Sequence, residues 1–357
     1  MRNSRGNDSW AAEATLVAAS SVLALALVEC ALHLALAHAT LWPADGKIAR
    51  LLRRLHQRAE WRMIQLEPEC ARYDRELGYT LRPGGCTIED REFTVRYDVN
   101  RLGLRDDEAS LDAPAVIVLG DSYAMGWGVE RAQAFPELLE TALGITVLDA
   151  GVPSYGTARE LRLLQRLDRR GLQALVVQYC WNDNEENRSY LDHDGALPVM
   201  TAPGYQRAQN EYLRGLRYYP GKLLLTMLAM AWPGTSAVAG PPPGVEDAAR
   251  DFLDVLARNV PVLGAVPVVV VSTCQHTRAF TRSASARLAT PPYQALAPLV
   301  SFVDPSPLLR SGDRYPLDAH LTAGGHVLYA RLLEVELRRR GLPTPDARES
   351  GTVLHGR

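Results

Sequence analysis

Ser122 stands at the end of an apolar, β-branched run, Val116-Ile117-Val118-Leu119-Gly120-Asp121-Ser122-Tyr123, and a helix-compatible stretch follows at Ala132–Leu143. A run of this kind reads as a buried strand, and the glycine at its end permits a sharp turn. The expected result is a hydroxyl at the carboxyl end of a central strand, where open α/β sheets place their ligands. A serine hydroxyl alone is a weak nucleophile. It needs a base to take its proton, a carboxylate to hold that base, and donors for the oxyanion formed on an attacked carbonyl. Three further stretches carry residue types of that sort: Asp149-Ala150-Gly151-Val152, Cys180-Trp181-Asn182-Asp183 and Asp318-Ala319-His320. Singly, each stretch has a plainer reading. Gly-Asp-Ser alone is more often a capped strand-to-helix turn, Asn182-Asp183 a polar loop, and His320 a residue near a helix start capped by Thr322. Their order, each just after an expected strand or just before the last helix, is what favours chemistry.

The elements that must position these residues are legible as an alternation. Apolar runs at Ala115–Leu119, Ile145–Leu148, Ala174–Tyr179, Val266–Ser272 and Val300–Val303 read as strands. Helix-compatible stretches at Ala132–Leu143, Thr157–Arg170, Val245–Asn259 and Ala323–Arg340 lie between or after them. Strand–helix alternation predicts a parallel sheet covered on both faces, over residues 113–345. A long excursion at 191–243 interrupts it and reads as a cap-like insertion. Within it, Lys222–Trp232 is apolar but too short to span a bilayer, which leaves an interfacial membrane contact as the other reading. Upstream, residues 43–112 hold an Arg-rich stretch with Ile48, Leu51, Leu52 and Leu55 at helical spacing, read either as a helix lying on lipid headgroups or as a solvated connector. A turn-rich stretch follows, and Phe93–Val99 alternates with period two, predicting a small β element. Residues 1–13 and 346–357 read as tails.

The chain has 357 residues, is 47% hydrophobic and carries a formal net charge of −2, so nothing calls for nucleic acid as a partner. Its five cysteines form no CxxC pair and no metal-ligand spacing, and Cys70 and Cys86 are close enough in sequence to bridge in an oxidising compartment. No metal and no organic cofactor is implied. Residues 14–42 are apolar apart from Glu29 and histidines, long enough to cross the roughly 30 Å hydrocarbon core. Glu29 is the costly residue there, and His33, four positions on, lies on the same helical face. The stretch reads as an uncleaved anchor contacting membrane lipid. A cleaved signal peptide, with Ala35-Leu36-Ala37 as its processing site, is the alternative. Arg2 and Arg5 on one side, and Lys47 through Arg62 on the other, leave the orientation open by charge count.

Taken together, Gly120-Asp121-Ser122, Gly151, Asn182-Asp183 and Asp318-Ala319-His320 resemble the GDSL, or SGNH, hydrolase superfamily, named for a serine, a glycine, an asparagine and a histidine in that order. Leu77-Gly78-Tyr79 and Asn100-Arg101-Leu102-Gly103-Leu104-Arg105 resemble the region preceding the hydrolase domain in membrane-anchored bacterial members. The resemblance implies a three-layer α/β/α flavodoxin-like domain, tethered by one N-terminal transmembrane helix and held outside the cytoplasm. It also implies the roles: Ser122 as nucleophile, His320 as base, Asp318 as orienter, and an oxyanion hole from the Ser122 and Gly151 backbone N–H groups with the Asn182 amide. Glycine at 151 would let backbone approach substrate without a Cβ in the way. One residue separates Asp318 from His320, where many members have two, so Asp313 stands as a second candidate orienter. The shorter spacing is similar to that of the branch containing alginate and peptidoglycan O-acetylation proteins. The expected activity is therefore hydrolysis of a small acyl ester, plausibly acetyl, on a glycan or lipid-linked substrate. Acyl transfer to envelope polysaccharide is the alternative, and a non-catalytic envelope scaffold the third reading. Asp121 is read as a local hydrogen-bonding residue, and His193, His276 and His326 as surface or packing residues.

Overall fold

The computed structural model describes residues 4–42, 46–231, 244–273 and 277–342. The Pro-rich end of the 191–243 insertion, His276 and the 346–357 tail lie outside the described residues. In chain order the elements are α1 (Ser4–Ala37), α2 (Lys47–Ala59), β1 (Ala71–Asp74), β2 (Gly78–Leu81), β3 (Cys86–Glu89), β4 (Thr94–Tyr97), β5 (Val116–Gly120), α3 (Ser122–Met125), α4 (Phe135–Leu143), β6 (Val147–Gly151), α5 (Thr157–Leu164) and β7 (Ala174–Tyr179). There follow α6 (Asp183–Asp192), α7 (Ala202–Leu216), α8 (Lys222–Ala231), α9 (Val245–Arg258), α10 (Val260–Leu263), β8 (Val268–Ser272), α11 (Thr277–Leu288), β9 (Val300–Val303) and α12 (Ala323–Arg339). They fall into two compact units. One comprises residues 1–61, 212–240 and 316–319, and the other residues 62–211, 241–315 and 320–357.

The larger unit is built on a parallel sheet of order β6-β5-β7-β8-β9. Each of the five apolar runs of the sequence overlaps one of its five strands, the run at Ile145–Leu148 sharing only Val147 and Leu148 with β6. Because side chains alternate across a strand, each run feeds two faces. Ile117, Leu119, Leu148, Leu175 and Val177 join one apolar cluster with residues of α5, α9 and α11. Val116, Val118, Val147, Ala174 and Val176 join another with residues of α4 and α12. Val116 through Leu119 are all 0% exposed, and each such side chain contributes roughly 1.5–3 kcal/mol by burial. The strand order reverses at β5, so β6 and β7 flank it on opposite sides. The crevice beyond the carboxyl ends of strands at such a reversal is where these sheets bind ligands.

The helices of this unit that escape the sequence reading include α6 and α11. In α6 the buried residues are Asp183, Asn184 and Asn187, so its inward face is polar and gives no apolar periodicity. The α11 sequence, TRAFTRSASARL, offers few large apolar side chains. The expected small β element is present as two antiparallel hairpins, β1–β2 and β3–β4. Val95 and Tyr97 point inward and Thr94 and Arg96 outward, the alternation legible in the sequence. Cys70 and Cys86 are disulfide-bonded beneath them, beside Ile64, Leu81 and Ile88.

In the other unit, α1 has an apolar portion at Ala12–Ala37 with a mean hydropathy of 2.1. By length and composition it fits a membrane span, and by its place near the N-terminus a signal sequence. The helix ends at Ala37 and passes through a 3-10 turn at Ala39–Leu41, short of the expected continuation to residue 42. The α2 helix is amphipathic as expected, but two of its four large apolar residues face outward. Leu52 and Leu55 are buried, whereas Ile48 and Leu51 are exposed beside Arg50 and Arg54. Leu36, Leu52, Leu55, Leu223 and Leu317 form the unit's apolar cluster, and Arg53 Nε donates to the Pro316 carbonyl at 2.8 Å. Glu29, placed in the sequence beside His33, approaches it at 3.6 Å. Its carboxylate also accepts the N–H groups of Leu223 and Leu224, at 3.1 and 2.8 Å, so it caps α8.

Candidate active site

Ser122 is the first residue of α3, immediately beyond β5. Asp121 caps that helix, its carboxylate accepting the Tyr123 N–H at 2.9 Å. The turn is held from below by Gln178, a fully buried side chain of β7. Its Oε1 accepts the Asp121 N–H at 2.9 Å and the Ala124 N–H at 3.2 Å, while its Nε2 donates to Thr273 Oγ1 at 2.8 Å. A Cβ at Gly120 would stand 2.5 Å from that Oε1, so the glycine makes room for the amide that fixes the Ser122 turn. The sequence signal for Gln178 is a polar residue inside an otherwise apolar strand.

Ser122 Oγ lies 2.7 Å from His320 Nε2, although the two are 198 residues apart. In that pair the hydroxyl donates when the imidazole carries its proton on Nδ1. The imidazole is packed against the Tyr123 ring at 4.4 Å and the Trp127 ring at 6.2 Å between centroids, and His320 is 8% exposed. Its loop is braced on both sides. Tyr315 N–H donates to the His320 carbonyl at 2.9 Å, Thr322 N–H to the Asp313 carbonyl at 3.0 Å, and the Arg314 guanidinium reaches the Thr273 carbonyl at the end of β8. Thr322 caps α12, as the plainer reading of this stretch expected.

Asp318 is buried, at 2% exposed, and belongs to the smaller unit, while His320 belongs to the larger. Ala319 between them has φ 76°, a left-handed conformation that costs an L-residue roughly 1–2 kcal/mol. Asp313, the second candidate orienter, has its carboxylate on the Arg310 N–H at 2.6 Å.

The two remaining donors are engaged. Gly151 N–H donates to Asp149 Oδ1 at 2.9 Å, and the Asn182 amide hydrogen-bonds the Asp121 carboxyl. Glycine at 151 also has a packing reason that the sequence did not show. A Cβ there would overlap Met125 N and lie 2.9 Å from Ala124 Cβ, so the residue makes room for α3. Asn182 precedes α6 in helical conformation without capping it.

Several buried charged groups around this turn were not singled out from sequence. Arg105, 1% exposed, donates to the carbonyls of Met125, Gly126 and Val129 at 3.1, 2.7 and 2.8 Å and stacks over Tyr97 at 4.3 Å. Asp149 N–H donates to Asp106 Oδ2 at 2.8 Å. Burial pushes the Asp106 carboxyl up to about 6, and burial with the neighbouring Asp106 pushes Asp149 well above the usual carboxylate range. Burial raises Asp121 as well, against the N–H of Tyr123 and the charge of His320, which pull it down. Glu160, fully buried with neither carboxyl oxygen hydrogen-bonded, is pushed well above its ordinary value by burial and then by Asp183 and Asp121. His326 is a packing residue, accepting the Phe135 N–H at 3.1 Å, and burial lowers it to about 3. His193 is exposed. Among the described residues no cluster of His, Cys, Asp or Glu has the arrangement of a metal site.

The arrangement can activate a hydroxyl at the carboxyl edge of a parallel sheet. No protein-family model matches this chain, and no curated protein matches it.

Proposed function

We propose that this chain is a membrane-anchored serine esterase of the SGNH type, cleaving a small acyl ester, acetyl for preference, from a glycan or lipid-linked substrate. The observation that carries the reading is the 2.7 Å approach of Ser122 Oγ to His320 Nε2 at the strand-order reversal. The flavodoxin-like strand order supports the fold assignment. Oγ attacks the acyl carbonyl as its proton passes to Nε2, and the oxyanion collapses as that proton moves to the leaving alcohol oxygen. Water then repeats the sequence on the acyl-enzyme and releases the acid. Asp318, two residues before His320, is the proposed orienter. The oxyanion is proposed to take the Ser122 N–H and the Asn182 amide N–H that the Asp121 carboxyl does not hold. Gly151 N–H joins them only by sharing or leaving Asp149 Oδ1, and one such donor is typically worth on the order of 10²–10³ in turnover. The bridged Cys70 and Cys86, with Cys180 disulfide-bonded as well, support an extracytoplasmic location for the catalytic domain.

The expected outcome is that Ser122→Ala abolishes hydrolysis of an activated acetyl ester and labelling by a fluorophosphonate, with the fold retained by circular dichroism. Undiminished turnover in that variant refutes the reading. Acyl transfer is the second reading, favoured by the Asp318-Ala319-His320 spacing. Labelled acetyl recovered on an added acceptor glycan, rather than as free acetate, selects it.

A further inference from the structure

The α8 helix presents an unusual combination. After Lys222 it carries no charge, its sequence being LLLTMLAMA, and Leu225 and Leu228 are 53% and 55% exposed. Its other side packs along α1, where Leu223, Met227 and Met230 meet Leu32, Ala35 and Leu36. Along α1 the outward residues are equally apolar, with Leu23 and Leu27 both 61% exposed and Leu34 61%. The two exposed apolar surfaces belong to helices in direct contact.

The N-terminus of α8 is the second observation. In water, the first N–H groups of a helix can be met by solvent as well as by a nearby capping side chain, whereas in hydrocarbon only a protein group can meet them. Here those of Leu223 and Leu224 are satisfied by a carboxylate from another helix, Glu29, which is 7% exposed and lies inside the apolar portion of α1. An isolated carboxylate and two unmet N–H groups are each costly in hydrocarbon, and pairing them removes both penalties while placing the charge at the positive end of the helix dipole. Ten residues give α8 a length of about 15 Å, half of the hydrocarbon core. Tyr218 and Tyr219, both exposed, come just before it and are of the type enriched where membrane meets water.

We propose that α8 lies in the membrane leaflet reached by the C-terminal half of α1, with lipid acyl chains covering its Leu225–Leu228 face and Glu29 pinning its N-terminus. This rests on α1 being a retained membrane span.

The test uses the full chain with Cys30, the free cysteine among the described residues, changed by Cys30→Ser. Spin labels are placed through Leu225→Cys, Leu228→Cys, Leu23→Cys and Val335→Cys, one at a time, in phosphatidylcholine–phosphatidylglycerol vesicles. Collision with oxygen, which concentrates in lipid, is compared with collision with a water-soluble nickel chelate. The expected result is the same oxygen preference at 225 and 228 as at 23, with nickel preference at 335. Nickel preference at 225 and 228 with oxygen preference at 23 overturns the proposal while leaving the anchor standing. Nickel preference at 23 as well overturns the anchor, and the proposal with it. Adding Glu29→Ala is expected to free the label at 225 and raise its nickel collision, and Glu29→Gln, which keeps one acceptor, to do so only partly. An unchanged label in Glu29→Ala overturns the pin.

Discussion

Replacing Arg105 by methionine would remove the guanidinium that ties together the backbone just beyond Ser122. Three charge-assisted hydrogen bonds, to Met125, Gly126 and Val129, disappear at once, with a longer one to the Arg96 carbonyl at 3.5 Å. Each such bond contributes roughly 1.5–3 kcal/mol, an upper sum of about 9 kcal/mol. Part of that is offset, because the wild-type chain keeps a charge out of water at 1% exposure, and burial pulls the Arg105 pKa down for the same reason. Gly126 O also keeps the Val129 N–H at 3.3 Å. The net loss expected for Arg105→Met is about 3–5 kcal/mol, the usual cost of breaking a buried charged interaction and a large part of the 5–15 kcal/mol that holds a domain together. Arg105→Lys, with a shorter reach and no planar fork, should recover less than half of it. The assay is the urea midpoint of the larger unit followed by tryptophan fluorescence, since Trp127 sits in the released turn. Below that midpoint, acetyl-ester turnover should fall by on the order of 10²-fold, as expected for a displacement of about 1 Å at the reacting group. A Met variant within about 0.5 kcal/mol of wild type, the range of an ordinary surface substitution, would refute the account of this turn.

Gly151→Ala should cost about 1–3 kcal/mol and depress turnover, because the added methyl overlaps the backbone of α3; unaltered thermal unfolding and unaltered kinetics would contradict that packing. Asp106 has its folded-state pKa raised from 3.8 to about 6, so its contribution to stability is fully present below pH 4 and is lost as pH rises toward 6 and above. Removing the carboxyl with Asp106→Asn should therefore flatten the fall in stability between about pH 4 and 6, by up to roughly 3 kcal/mol, measured as urea midpoints across that range. Ala319→Gly should leave stability equal or higher by up to about 1 kcal/mol, since glycine adopts φ 76° freely; a clear loss in melting temperature would show that the methyl makes contacts outweighing the strain.

The parallel sheet could be read from sequence because fully buried strands are written in consecutive Val, Ile and Leu, and a run such as Val116–Leu119 has few other uses. Ser122 and His320 were singled out from strand-end position and residue type, and they lie within hydrogen-bond distance. What escaped was whatever depends on a partner distant in the chain. Gly151 looked like room for a ligand, and nothing nearby in sequence shows that it also accommodates α3, 26 residues earlier at Met125. Arg105 stood inside a quoted motif, but nothing in local sequence says that its acceptors are three carbonyls of another turn. The polar inner face of α6 defeats a search for apolar periodicity, since Asp183 and Asn187 are buried through hydrogen bonds with Thr157. The register of hydrophobic residues locates the frame; hydrogen-bond complementarity between separate loops does not announce itself in composition.

The cap on α8 also sets an order of events during synthesis. Glu29 and its acceptor-seeking amides are 194 and 195 residues apart. At bacterial and eukaryotic elongation rates of about 5–20 residues per second, on the order of ten to forty seconds separate the emergence of the carboxylate from that of Leu223. During that interval His33, one turn along, is the neighbour already made. A nascent chain lacking that imidazole would have to carry the acid through the interval unaccompanied, so the histidine's importance should show in the yield of inserted protein more than in the stability of the finished one.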